Sequence, residues 1–173
     1  RSRRSIYPNQ FNGEKINDDV IFELLENANY APTHKMTQPW RFKVFCSNSK
    51  NKLLNEIKKN TELSEVKKRK LEKNFQRSSH IICTCVKKNK DLLPEWEEVA
   101  ATAMAVQNIW ISCVDSKIGG YWSTPKYTNK LRNILALDED ETCLGFFYLG
   151  IYEFKNEERG PRDNVKEKIK WYK

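Results

Sequence analysis

The run Pro32-Thr33-His34-Lys35-Met36-Thr37-Gln38-Pro39-Trp40 sets polar side chains between two prolines. Each proline fixes φ at about −65° and offers no amide donor, so a helix cannot continue through the run and the run is stiffer than a free coil. A rigid loop presenting His34, Lys35 and Gln38, with Thr33 beside them, suits the polar edge of a ligand. The opening Arg3-Arg4-Ser5 suits a different chemistry. Two guanidiniums give planar forks of donors and the hydroxyl adds one more, a set that matches a phosphate. An ordinary solvated N-terminus is the plainer alternative. In Gly119-Gly120-Tyr121-Trp122-Ser123-Thr124-Pro125 the glycines let backbone approach a planar group closely. The alternative there is a helix cap followed by an edge strand.

These groups need elements to hold them. Asn17 is a candidate N-cap for a helix over 18–30, whose Val20, Ile21, Leu24, Leu25 and Ala28 recur at helical spacing before Pro32 stops it. A strand over 41–46 leads out of the polar loop, with the alternation beginning at Trp40. Two charged helices over 49–60 and 63–75 precede a β-rich run over 80–86. Residues 95–117 are apolar on almost every face, through Val99, Ala101, Val106, Ile109 and Trp110 among others. The charged start of this segment, with Gln107 and Asn108, points to a helix buried in protein rather than in lipid. A chain this small cannot cover such a helix alone, so a second copy is expected to cover part of it. Gly119 and Gly120 are expected to end this helix at φ > 0. Pro125 is expected to open another helix, to about residue 135. Residues 143–152 read as a strand buried on both faces. The tail over 157–173 is polar up to Trp171 and Tyr172. The first residues read as the end of a helix already under way, so the native chain is expected to begin before Arg1. Helices and strands mix without a β-α-β cadence, which predicts an α+β fold in a single domain over 1–173.

Composition narrows the classes. The chain has 173 residues, 39% hydrophobic, with five Trp, enough to build a core and too apolar for disorder. Its formal charge of +8 is concentrated: from 50 to 90, thirteen Lys or Arg stand against four Glu. Such a segment attracts nucleic acid or an anionic cofactor, or is simply a solvated helical face, and the last reading is preferred. It lacks interleaved exposed aromatics and any nucleic-acid motif, so no nucleic-acid partner is expected. Cys46, Cys83, Cys85, Cys113 and Cys143 form no C-x-x-C pair and lie in apolar runs, so they read as small hydrophobes rather than metal ligands. No metal is expected. Unpaired thiols, with no signal peptide and no membrane-length apolar run, predict a cytoplasmic protein without a membrane partner.

Arg3-Arg4-Ser5 and Pro32-x-His34-x-x-x-Gln38-Pro39-Trp40 together resemble the nitroreductase-like family of FMN-dependent NAD(P)H oxidoreductases. The resemblance continues through the alanine-rich 97–110, the 119–125 turn, Leu144-Gly145-Phe146-Phe147-Tyr148-Leu149-Gly150, and Arg162 followed by Trp171. It implies a central, mostly antiparallel sheet flanked by helices, with the long core helix at a homodimer interface. It also implies FMN, with the phosphate and ribityl chain on Arg3, Arg4, Ser5 and Arg162. His34 and Gln38, with Thr33, would reach across the two-fold axis into the partner's flavin. Trp122, Ser123 and Thr124 would run beside the ring. NAD(P)H would donate hydride, and a nitroaromatic, a quinone or a similar electron-poor small molecule would accept it, by a ping-pong mechanism. No residue is assigned as an acid–base catalyst. The chain departs from the family at Tyr7, where many relatives carry Arg or Lys near the flavin N1 and C2 carbonyl. Because a cation there favours the reduced anion, Tyr7 keeps open the alternative of an FMN-binding protein without NAD(P)H turnover, a sensor or another flavin chemistry.

Overall fold

The computed structural model describes residues 2–89, 91–153 and 160–173. Helix α1 (Asp18–Asn29) begins where expected: the Asn17 side chain accepts from the Asp19 amide at 3.0 Å, and Ile21, Leu24 and Ala28 form its buried stripe. Strand β1 (Trp40–Cys46) follows the polar loop. Helices α2 (Ser47–Asn60) and α3 (Glu65–Arg77) then pack together through Leu53, Ile57, Leu71 and Phe75. Strand β2 (His80–Lys87), helix α4 (Glu95–Ser112), strand β3 (Ile118–Ser123) and strand β4 (Glu141–Ile151) complete the core.

The four strands form one antiparallel sheet in the order β1-β2-β4-β3. The two central strands are buried on both faces, which explains their nearly unbroken apolar sequences. Side-chain alternation divides the core. Ile81, Cys83, Cys85, Phe146 and Tyr148 face α2 and α3, whereas Ile82, Phe147 and Leu149 face α1 and α4. The molecule is therefore an α+β sandwich of helix pair, sheet and helix pair.

Several expectations are corrected. Helix α4 stops at Ser112, capped at Cys113, and the chain turns through Asp115 at φ 62°. Gly119 and Gly120 do not cap it; they lie inside β3. They are needed there for space. A Cβ on Gly119 would sit 2.7 Å from Ile6 Cβ, and one on Gly120 would sit 2.6 Å from Phe147 Cζ. After Pro125 there is only a 3-10 stretch, Lys126–Leu131. Arg132 ends it by donating to the carbonyls of Leu137, Asp138, Glu139 and Glu141, which folds the chain into turns, with Ala136 at φ 45°. The opening is not helical either: up to the 3-10 turn Pro8–Gln10, residues 2–7 have no helix, and Ile6 N donates to Gly120 O beside β3.

Burial of α4 is one-sided within the chain. Ala101, Ala105, Val106 and Ile109 face inward, while Trp96 (69% exposed), Met104 (39%) and Ile111 (52%) face outward. Of the polar tail, residues 157–159 lie outside the described residues, as does Lys90 of the basic segment. Residues 160–173 are exposed, with one 3-10 turn at Val165–Lys168. Among the described residues, no helix is long and apolar enough to cross a membrane.

Candidate functional site

The two ends of the chain meet at the edge of α4. The Arg3 guanidinium lies 4.4 Å over the Trp110 ring, and that indole is itself held by donating Nε1–H to Gly120 O at 3.0 Å. Arg3 lines an open cavity of about 410 Å³ together with Arg162, Ser2, Gln107, Ile111 and Val114. Two guanidiniums and a polar rim on one concavity form the donor set that a phosphate requires. Arg4 turns elsewhere, into a recess of only about 30 Å³ beside Trp110, Cys113 and Tyr152. The Tyr152 phenol is pushed up by burial, and the nearby Arg4 charge opposes that push. Ser5 is half-buried in the extended segment. Of the expected phosphate set, the fold brings Arg3 and Arg162 together and leaves Arg4 apart. Gln107 and Trp110 of α4 and Ser2 beside Arg3 join the site unexpectedly: the α4 segment reads as core, and a lone serine near the start of the chain carries no signal.

The polar loop is held tightly. Lys35, Met36 and Gln38 adopt φ of 50°, 54° and 44°, a left-handed region that costs non-glycine residues energy and persists only where surroundings enforce it. Thr33 supplies part of that enforcement: its hydroxyl accepts from Gln38 N at 3.1 Å and bonds the Thr37 hydroxyl at 3.1 Å. Thr33 therefore shapes the loop. His34 Nδ1 meets Glu97 Oε2 of α4 at 2.6 Å; a carboxylate accepts, so Nδ1 is the donor. Trp40 is core, buried with its Nε1 on Asn29 Oδ1. His34 is exposed and Gln38 half-buried, and neither lines the cavity of Arg3 and Arg162 in its own chain.

Strand β3 supplies the third part. Trp122 packs against the α1–α4 core, and among the described residues its buried Nε1 has no hydrogen-bond partner. Ser123 faces the other way, into a cleft of about 940 Å³. Thr124 is exposed. The cleft is walled by Tyr7 and Tyr121, whose rings lie 4.7 Å apart, and by one face of α3. By charge alone that face reads as solvated. Its 66, 69, 70, 73, 74, 77 spacing is legible as a helical stripe, but nothing in the sequence shows what the stripe confronts.

Away from these features, Asp18, Cys46 and His80 bring ligand-type atoms within 4.8 Å of one another. Protein partners already engage the imidazole. Ser79 Oγ accepts from Ile16 N and bonds His80 Nδ1 at 2.8 Å, while His80 Nε2 meets Asp18 Oδ1 at 3.2 Å. Burial pulls the His80 pKa below its ordinary value, against the opposing influence of Asp18. Burial likewise raises the Cys83 thiol and pushes Cys113 up to about 12, so both remain thiols at neutral pH. This is the behaviour of packing residues.

Comparison with known proteins bears on the family and the fold. The profile described as "Nitroreductase family" matches residues 1–151. A Bacillus subtilis (strain 168) protein named "Putative NAD(P)H nitroreductase YfhC" is 28% identical over 159 residues, 87% of this chain and 80% of that protein. The crystal structure of a nitroreductase-like family protein from Bacillus cereus superposes with a TM-score of 0.87 at 21% identity, covering 99% of this chain and 92% of that one. A Desulfovibrio desulfuricans structure, described as a "putative nitroreductase in complex with fmn", superposes at 0.75 with 21% identity, covering 97% and 91%. With a family profile spanning all four strands and all four helices, the chain belongs to the nitroreductase family.

Proposed function

We propose that the protein is an FMN-dependent oxidoreductase that takes hydride from NAD(P)H and passes it to an electron-poor acceptor such as a nitroaromatic or a quinone, in a ping-pong cycle. The observation that carries this reading is the convergence of Arg3 and Arg162 on one cavity in a nitroreductase-family chain. FMN, when bound, supplies a hydride-accepting ring that one substrate reduces and the next reoxidises. Arg3 and Arg162 would hold its phosphate, with Ser5 on the ribityl side. The Trp122-Ser123-Thr124 backbone would border the ring. His34, braced by Glu97, and Gln38 lie in a loop that avoids its own chain's cavity, which supports a role in the partner's site. The outward apolar side of α4 supports a homodimer with shared flavin sites. The protein's contribution is positioning, and no side chain is assigned a proton transfer. The thiols, unpaired throughout, support a reducing, cytoplasmic location.

The test is the visible spectrum of the purified protein before and after anaerobic addition of NADH or NADPH. A flavin spectrum that bleaches supports the reductase. One that persists favours the flavoprotein without turnover and directs attention to Tyr7. A colourless protein that takes up no FMN removes the reading.

A further inference from the structure

Three residues far apart in the sequence meet where elements of the fold begin or end. Asp18 is the first residue of α1, Cys46 the last of β1 and His80 the first of β2. Cys46 and His80 are direct partners in the antiparallel β1–β2 ladder, so their side chains leave the same face of the sheet, and α1 packs on that face. An imidazole nitrogen, a thiol sulfur and a carboxylate oxygen thereby lie within 4.8 Å of one another. The Cys46 backbone is pinned by Ser49, whose hydroxyl accepts from Cys46 N at 2.9 Å and bonds Cys46 O at 2.7 Å. No ligand spacing announces this cluster in the sequence, because the fold alone assembles it.

Imidazole, thiolate and carboxylate are ligand types that zinc takes, whereas calcium and magnesium take oxygen. His80 Nε2 and Asp18 Oδ1 are 3.2 Å apart. Two ligands each about 2.0–2.1 Å from a tetrahedral zinc stand about 3.3 Å apart, so this pair is already spaced to share one ion. A metal on Nε2 requires the other ring nitrogen to donate. Ser79 Oγ, held by the Ile16 amide at 2.7 Å, lies 2.8 Å from His80 Nδ1 and can accept there, the outer contact that orients a ligating histidine. The hydrogen bonds around His80 therefore serve two states. Without metal, the Ser79 hydroxyl donates to Nδ1 and Nε2–H donates to Asp18. With metal, Nδ1–H donates to Ser79 and the ion joins Nε2 to Asp18. His80 is buried and Asp18 exposed, so the imidazole is fixed while the carboxylate side opens to solvent for entry and for a water as fourth ligand. Two ammonium groups adjoin the cluster. Lys15 meets the same Asp18 oxygen at 3.1 Å, but both side chains are exposed and the contact is weak. Lys50 is committed to the carbonyls of Phe75 and Ser78.

We propose that Asp18, Cys46 and His80 form a site for a zinc-class divalent ion, which clamps the start of α1 to the end of the β1–β2 ladder. Binding releases the Cys46 thiol proton to solvent and forms the metal–sulfur bond. The site involves none of the residues assigned to flavin, and its test does not depend on the reductase reading.

Untagged, reduced protein freed of metal by a chelator is titrated with Co²⁺, a spectroscopic substitute for zinc, as a difference spectrum against the metal-free protein. One equivalent per chain is expected, with a thiolate-to-cobalt charge-transfer band and the intense visible bands of a tetrahedral ion, and added Zn²⁺ should bleach both. Cys46→Ser should lose the charge-transfer band. Asp18→Asn, at an exposed position that spares the core, should weaken cobalt affinity by at least about tenfold. Lys15→Gln, which removes a competitor for the carboxylate, should strengthen it. Zn²⁺ should raise the urea midpoint of the wild type and leave that of Asp18→Asn nearly unmoved. A protein that gives no cobalt spectrum at large metal excess would overturn the proposal. So would cobalt bound without a thiolate band, or a thiolate band that survives Cys46→Ser and so belongs to another cysteine.

Discussion

Arg3 and Arg162 lie far apart in the sequence yet line one cavity. Each is expected to contribute a charge-assisted contact worth about 1.5–3 kcal/mol to FMN retention. Arg3→Ala and Arg162→Ala should therefore each weaken FMN affinity by about tenfold to a hundredfold, measured by fluorescence titration of the apoprotein. Unchanged affinity in both would remove the cavity from the cofactor site. His80 makes a separate residue-scale prediction. Its folded pKa lies below the ordinary 6.5 because burial disfavours the imidazolium. As pH falls below 6.5 the unfolded chain takes up a proton that the folded chain resists, so unfolding is favoured. Stability is then full above that value, declines below it, and stops declining once the folded pKa is passed. Urea unfolding at several pH values should show His80→Gln to be less sensitive across this window than the wild type.

At the scale of elements, β3 is the piece on which the others depend. It pairs with β4, receives the N-terminal segment at Gly120 O and anchors Trp110 through the same carbonyl. Its close packing against Phe147 leaves no room for a methyl group. Gly120→Ala should destabilise the protein by about 1–3 kcal/mol through overpacking, read as a lower urea midpoint. Because Phe147 is fully buried, it cannot move aside cheaply; a neutral result would show that the packing of β3 against Phe147 of β4 is looser than the structure has it. The polar loop illustrates the opposite economy. Three left-handed residues are held there by the Thr33 hydroxyl and the His34–Glu97 contact, a local strain that fixes where the loop tip projects.

At the scale of the whole molecule, helix α4 joins fold and assembly. Its inner side fills the core, and Trp96, Met104 and Ile111 recur on the outer side at spacings that keep them on one face. Apolar area of that kind on a helix otherwise committed to the core is expected to be covered by a second copy. Analytical ultracentrifugation should show a dimer. Met104→Glu should shift it toward monomer without unfolding it, and with it reduce flavin content, since Met104 lies outside the Arg3–Arg162 cavity. A wild-type monomer, or a variant dimer of unchanged stability, would show that the face has another use.

The local order of elements was legible in the sequence because it rests on short-range rules. The Asn17 cap, the stripe of α1, the prolines around the polar loop and the unbroken apolar runs of β2 and β4 each carry their own signal. The family-bearing motifs were legible for the same reason, being contiguous. The role of Gly119 and Gly120 was not, because their need for glycine comes from Ile6 and Phe147, which are distant in sequence. Nor was the end of the segment after Pro125, which Arg132 fixes by hydrogen bonds to carbonyls further along the chain. Sequence alone nominated Arg3, Arg4 and Arg162 equally; only the path of residues 2–6 along β3 separated Arg3 and Arg162 from Arg4. The basic stripe of α3 was visible as charge, but its meaning depended on what stands opposite. That is a property of tertiary packing, because a helix specifies which residues share a face and the rest of the fold decides what the face meets.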